Sequence, residues 1–150
     1  MGAYLNEAIG GSQLKRQIKI GEWVSLRVRV SEKDVHYAGG LVNGAWVLGL
    51  FGDVATEVGI RHDGDEGLLA AYKELQLTAP VHAGEFIEAR CKIVRAGNTS
   101  RELYLEAYKY IVPGNNAGHP SWADVLPEPQ LVARGTMIQV VPKDCQRYTD

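Results

Sequence analysis

The stretch Asn43–Arg61, NGAWVLGLFGDVATEVGIR, most limits what this 150-residue chain can become. It is apolar on nearly every side, with Trp46, Val47, Leu48, Leu50, Phe51, Val54, Ala55 and Val58. A helix apolar all round belongs inside a fold. At roughly 1.5 Å per residue it would run about 25 Å, the width of a small domain. Asn43 is placed to cap its start. Gly44, Gly49, Gly52 and Gly59 each weaken it by about 1 kcal/mol relative to Ala, so a sheet or a partner helix must approach closely there in compensation. Asp53 and Glu57 stand one turn apart. Like charges at that spacing repel, and a buried carboxylate is costly unless paired or protonated. These two acids are the first sign of chemistry.

Around this helix the chain reads as β. In Trp23–Val30, Val24, Leu26, Val28 and Val30 alternate with Ser25, Arg27 and Arg29, the period of a half-buried strand. Further strands are expected near Gly67–Leu77, Phe86–Arg95, Arg101–Ile111 and Gln130–Val140. Turns are expected at 62–65, 79–85 and 96–99, and a loop at 112–121. Trp122–Leu126 reads as one helical turn before Pro127. Residues 1–22 form an N-terminal arm with a short edge strand near Gln17–Ile20, and 23–150 form a single domain. One long helix wrapped by five or six antiparallel strands is an α+β arrangement, the hot-dog fold. Such a unit leaves a sheet edge and a helix flank uncovered, so at least a dimer is expected.

Composition closes off several functions. The net charge of −2 gives no reason to expect nucleic acid or an anionic membrane as partner. Cys91 and Cys145 are too few for a disulfide framework and lack metal-ligand spacing, so no metal is expected; Cys91 reads as a small core residue. No apolar run approaches the 20 residues a membrane span needs. The first 20 residues lack the order of a signal peptide, and a cytoplasmic protein is expected. There is no Gly-Lys-Ser/Thr to make a P-loop and no Gly-x-Ser-x-Gly elbow.

The phrases DVHYAGGLVNGA (34–45), FGDVATE (51–57), DGDEGL (63–68), TAPVHAGEFIEA (78–89), VRAGNTSR (94–101) and PKDCQR (142–147) resemble the hot-dog-fold β-aminoacyl-CoA ammonia lyases. These comprise the 3-aminobutyryl-CoA lyases of lysine fermentation and the β-alanyl-CoA lyases. The resemblance spans roughly residues 23–147. It implies reversible loss of ammonia across Cα–Cβ of a β-aminoacyl thioester, giving an enoyl-CoA, with the 3-aminobutyryl substrate favoured. The substrate carries its own coenzyme A and no other cofactor is implied, because the thioester acidifies the α-carbon. The implied assembly is a homodimer or a higher oligomer, such as a trimer or a dimer of dimers.

That chemistry needs a base for the α-proton, donors for an enolate-like oxygen and a group to orient the departing amine. The helix start suits the second need, since free amides and the dipole there favour negative charge. Gly40, Asn43, Gly44 and Ala45 are therefore expected to bind the thioester, with Tyr37 orienting the substrate or simply packing. Glu57 is the first choice of base; its other reading is a carboxylate paired with an Arg or Lys of a partner subunit. Asp53 shares its face, so that one of the two holds a proton while the other is ionised; its other reading is an interface hydrogen bond. Asp34 and His36, on the loop before the helix, are further acid/base candidates. His62, His82 and His119 fall in turns and read as solvated. Arg95, Asn98, Thr99, Ser100 and Arg101 cluster at one turn, with donors suited to the pyrophosphate of coenzyme A; the competing reading is a solvated hairpin tip. Lys143 and Arg147 are weaker candidates. Two other functions stay open: an acyl-CoA thioesterase on the same fold, where a carboxylate activates water, and a non-catalytic acyl-CoA-binding protein.

Overall fold

A computed structural model describes residues 14–150. Five strands, β1 (Val24–Arg29), β2 (Leu68–Leu77), β3 (Phe86–Ala96), β4 (Ser100–Pro113) and β5 (Ala123–Val140), surround one helix, α1 (Gly44–Asp63). The sheet is antiparallel throughout, in the order β1-β3-β4-β5-β2. This is the hot-dog fold expected from the sequence.

The register explains which side faces the helix. Ile87, Ala89, Cys91 and Ile93 of β3 and Leu103, Leu105 and Ala107 of β4 are fully buried, two residues apart along each strand. They meet Val47, Leu50, Phe51, Val54, Ala55 and Val58, the apolar stripe of α1 at helical spacing. The alternate residues of the same strands build a polar outer face, with Arg27–Glu88 at 2.6 Å, Arg90–Glu106 at 2.9 Å and Arg90 stacked 4.2 Å above Trp23.

Three expectations of local structure are corrected. Gln17–Ile20 forms no strand: Gln17 N–H donates to Arg61 O at 2.7 Å and Ile18 is buried, so this segment closes over the end of α1 instead of extending the sheet. The rest of the arm, residues 1–13, lies outside the described residues. Trp122–Leu126 is not a helical turn, because Ala123–Val125 pairs with Ile111–Pro113 in the β4–β5 hairpin. Leu126–Pro129 then bulges opposite Tyr110, where Pro127 and Pro129 are spared the ladder hydrogen bonds they cannot donate to. Nor is the helix buried on all sides. Ala45, Gly49, Asp53 and Ile60 form an open flank, and a Cβ added at Gly49 or Gly52 would meet nothing within 4 Å. Close approach does hold at Gly59, where an added Cβ would stand 2.7 Å from Gln139 Nε2, which itself donates to Ala55 O at 3.0 Å.

His62 is not solvated either. It is the last but one residue of α1 and is 3% exposed. Beside it lies Asp63, fully buried, whose two oxygens accept from Arg101 Nε and Nη2 at 2.9 Å each. His62 Nδ1 lies 3.0 Å from the same carboxylate. Gly64 then ends the helix at φ +71°, a left-handed cap that glycine adopts without strain. Burial pushes the Asp63 carboxyl up, but the hydrogen bonds from His62 and Arg101 outweigh it and hold the group well below its ordinary 3.8.

Arg101→Met strands a buried carboxylate and should cost about 3–5 kcal/mol, whereas Arg101→Met with Asp63→Leu should recover most of the loss. Urea midpoints of the three proteins measure both. Because the folded-state value of Asp63 is depressed, its stabilisation is complete above about pH 4 and is lost as the pH falls further. The urea midpoint of the wild type should therefore drop more steeply below pH 4 than that of the double variant.

Candidate active site

The amino end of α1 opens onto a cavity of about 360 Å³. Val42, Asn43, Gly44 and Val47 form one wall, Leu77, Thr78, Ala79, Pro80 and Val81 the other, and Val132 closes the back. The lining is mostly branched aliphatic, with the helix amides and two polar side chains as its polar groups, the usual constitution of a small-ligand site. Asn43, extended at φ −87°, caps the helix by accepting from Trp46 N–H at 3.1 Å. The amides of Gly44 and Ala45 remain among those to which helix geometry gives no internal partner. Gly44 has a packing reason as well: a Cβ there would stand 2.6 Å from Leu77 Cδ1 across the cavity mouth.

The loop before the helix is drawn tight beside this cavity. Gly39 and Gly40 both have φ +79°, a left-handed pair that folds the chain back on itself. His36 and Tyr37 N–H both donate to Leu41 O, at 2.8 and 3.0 Å. The loop is stitched to residues 79–85 by Val42 N–H to Val81 O at 3.0 Å and Ala83 N–H to Gly40 O at 2.9 Å. Tyr37 is 55% exposed, with the His36 ring edge-on at 4.7 Å. Asp34 closes a short 3-10 turn, Glu32–Asp34, capped by Ser31. Asp34, His36, Tyr37, Gly40, Asn43, Gly44 and Ala45 thus belong to one continuous stretch of chain at the helix start.

The other candidates lie elsewhere. Asp53 and Glu57 are nine and thirteen residues beyond Gly44, about 13 and 20 Å along the axis at the helical rise. Asp53 stands exposed on the open flank. Glu57 Oε2 accepts from Arg61 Nε of its own helix at 2.8 Å. The cluster 95–101 sits at the opposite end of α1 from the cavity. Within it, Arg101 is unavailable to a pyrophosphate: it is 2% exposed, and its donors are taken by Asp63, Gly97 O and Ser100 O. Arg95 is exposed and lies 3.4 Å from Glu102. The carbonyls of Asn98 and Thr99 accept from Gln146 Nε2 and Val141 N–H, both at 2.8 Å. Ser100 opens β4.

Sequence reasoning missed Leu77, Val81 and Val132, which line the cavity, and the buried pair Glu85 and Lys109 beneath it. The pair had a visible signal. Lys109 continues the core-facing row Leu103, Leu105, Ala107, where the alternation calls for an apolar residue.

Comparison with known proteins agrees with the fold. The Thioesterase superfamily model matches residues 39–110. The chain is 52% identical over 122 residues to 3-aminobutyryl-CoA ammonia lyase of Acetoanaerobium sticklandii, covering 81% of this chain and 96% of that protein. The structure of β-alanyl-CoA:ammonia lyase from Clostridium propionicum superposes with a TM-score of 0.82 at 34% identity, over 88% of this chain and 93% of that one. An acyl-CoA hydrolase from Staphylococcus aureus, in complex with butyryl coenzyme A, superposes at 0.63 but is only 14% identical over 85% of this chain and 70% of that one, a likeness of fold alone. Over nearly the full length of those two lyases, the likeness reaches the sequence as well as the fold, and the chain belongs to the hot-dog-fold β-aminoacyl-CoA ammonia lyase family.

Proposed function

We propose that this protein reversibly eliminates ammonia from 3-aminobutyryl-CoA to give crotonyl-CoA. The observation that carries this reading is the aliphatic cavity laid against uncommitted amides of the helix start. The thioester oxygen lies on the amides of Gly44 and Ala45, which stabilise it as the α-carbon loses its proton. The methyl at Cβ lies among Val47, Leu77 and Val81, and the identity to the 3-aminobutyryl-CoA enzyme points the same way. A carboxylate takes the α-proton, the Cβ–N bond breaks with its electron pair leaving on nitrogen, and the double bond forms between Cα and Cβ. Tyr37, His36 and Asp34, on the loop that leads into the helix, serve to orient the amine. No resident cofactor is called for. An acyl-CoA substrate suits a cytoplasmic enzyme of amino-acid fermentation, and no helix among the described residues is long and apolar enough to cross a membrane.

The gap between the helix start and its carboxylates is closed in this proposal by a second copy. If two α1 helices pack antiparallel with the two-fold at Gly49, residue 49 − k of one faces residue 49 + k of the other. Ala45 then faces the partner subunit's Asp53. The bare positions Gly49 and Gly52 admit such a close approach. Asp53 thereby becomes the acid nearest a thioester, with Glu57 one turn further.

The wild type should consume crotonyl-CoA in an ammonia-dependent way, seen as loss of enoyl absorbance, and faster than it consumes acryloyl-CoA. Asp53→Asn should lower kcat by about 10²–10⁴-fold, the range for removing a general base, and Glu57→Gln tests the alternative assignment. Release of free thiol from butyryl-CoA without an ammonia requirement would make it a thioesterase; binding without turnover would make it a sensor. Light scattering should give an even multiple of 16.4 kDa, and Gly49→Leu should shift the mass toward the monomer and abolish the ammonia-dependent reaction together.

A further inference from the structure

We propose that the buried pair Glu85–Lys109 is a positioning device for the acyl cavity, an inference that rests on the reading of that cavity as the acyl site. Lys109 reaches up from the core-facing row of β4 and is 6% exposed; Glu85 is 5% exposed. The ammonium spends all its donors here: Glu85 Oε2 at 2.9 Å, Glu85 Oε1 at 3.1 Å and the carbonyl of Pro80 at 2.6 Å. Glu85 Oε1 also accepts from His82 N–H at 2.6 Å. The backbone of Glu85 is anchored in turn, its carbonyl accepting from Val30 N–H at 2.9 Å.

Two charges are thus enclosed to hold one seven-residue connection, Ala79–Glu85, from inside. That connection supplies Ala79, Pro80 and Val81 to the cavity wall facing the helix start. Through Val81 O and Ala83 N–H it also fixes the glycine loop that carries His36 and Tyr37. A buried ion pair is weak evidence of stabilisation in itself, since an apolar pair of equal volume often does as well. Its attested use is to specify one arrangement, and here the arrangement specified is the spacing between Pro80–Val81 and Gly44. Neither side chain lines the cavity, so the pair acts through the wall it holds.

The readout that separates positioning from bulk stability is the ratio of two affinities. Butyryl-CoA fills the cavity with its acyl chain, and free coenzyme A does not. In Lys109→Met, at a temperature where circular dichroism shows the variant folded, the affinity for butyryl-CoA should fall about tenfold while that for free coenzyme A stays within about twofold. The kcat/KM for crotonyl-CoA with ammonia should fall in step with the first. Glu85→Gln, which keeps the acceptor for His82 N–H, should show the same selective loss at roughly threefold, and it decides the matter if Lys109→Met does not fold. Equal weakening of both ligands, or of neither, in a folded variant overturns the proposal. A wild type that binds butyryl-CoA no better than free coenzyme A would instead remove the acyl-site reading, and the positioning role with it.

Discussion

The helix keeps its place because β4 is fastened to its carboxyl end and to the connection beside its amino end. An α-helix with four glycines and an aliphatic face could slide or rotate on a sheet of Ile, Leu, Val and Ala, since dispersion contacts have little preference for one register over the next. The core-facing row of β4 ends in a cation at either side: Arg101, forked onto Asp63 at the helix carboxyl end, and Lys109, holding Glu85 and the carbonyl of Pro80 next to its amino end. Eight residues of strand and twenty residues of helix cover similar lengths, about 27 and 30 Å. The two fastenings therefore fix both position and direction. Asn43 and Gly64, the caps, finish what the ion pairs begin.

Fixing the helix makes its start useful. The end amides open into a pocket only because Leu77 and Pro80–Val81 stand a definite distance away, and that distance is inherited from β2 on one side and from the Glu85–Lys109 connection on the other. The same rigid placement leaves the opposite flank of α1, with Ala45, Gly49 and Asp53, bare.

Much of this was legible in the sequence, and the parts that were not have physical reasons. The helix, its Asn43 cap and the inward rows of β1, β3 and β4 follow from periodicity, which depends on local geometry alone. The glycine loop followed from its residue types. His62 was misread because a His-Asp-Gly-Asp string looks like a turn; its ring lies against Arg16, forty-six residues earlier, and no local rule encodes that pairing. Arg101 was misread for the same reason: at a hairpin rich in Asn, Thr and Ser it looks like an anion ligand until its carboxylate partner is placed. The strand at Ala123 was missed because Pro127 and Pro129 argue against β structure, and only the bulge opposite Tyr110 reconciles them. The separation of Asp53 and Glu57 from the helix start of their own chain was calculable from the rise per residue.

The strand order has a consequence for synthesis. β2 follows directly after the helix, but among the described residues its one neighbour in the sheet is β5, the last of the five strands, with Leu77 opposite Ala133 and Leu68 opposite Val140. While the polypeptide is still emerging from the ribosome, β2 has nothing to pair with and the helix stripe lacks part of its cover. Closure over so long a sequence separation is slow, and the interval leaves an aliphatic strand open to wrong partners. A nascent chain with this connectivity stays open to misassociation until β5 has emerged.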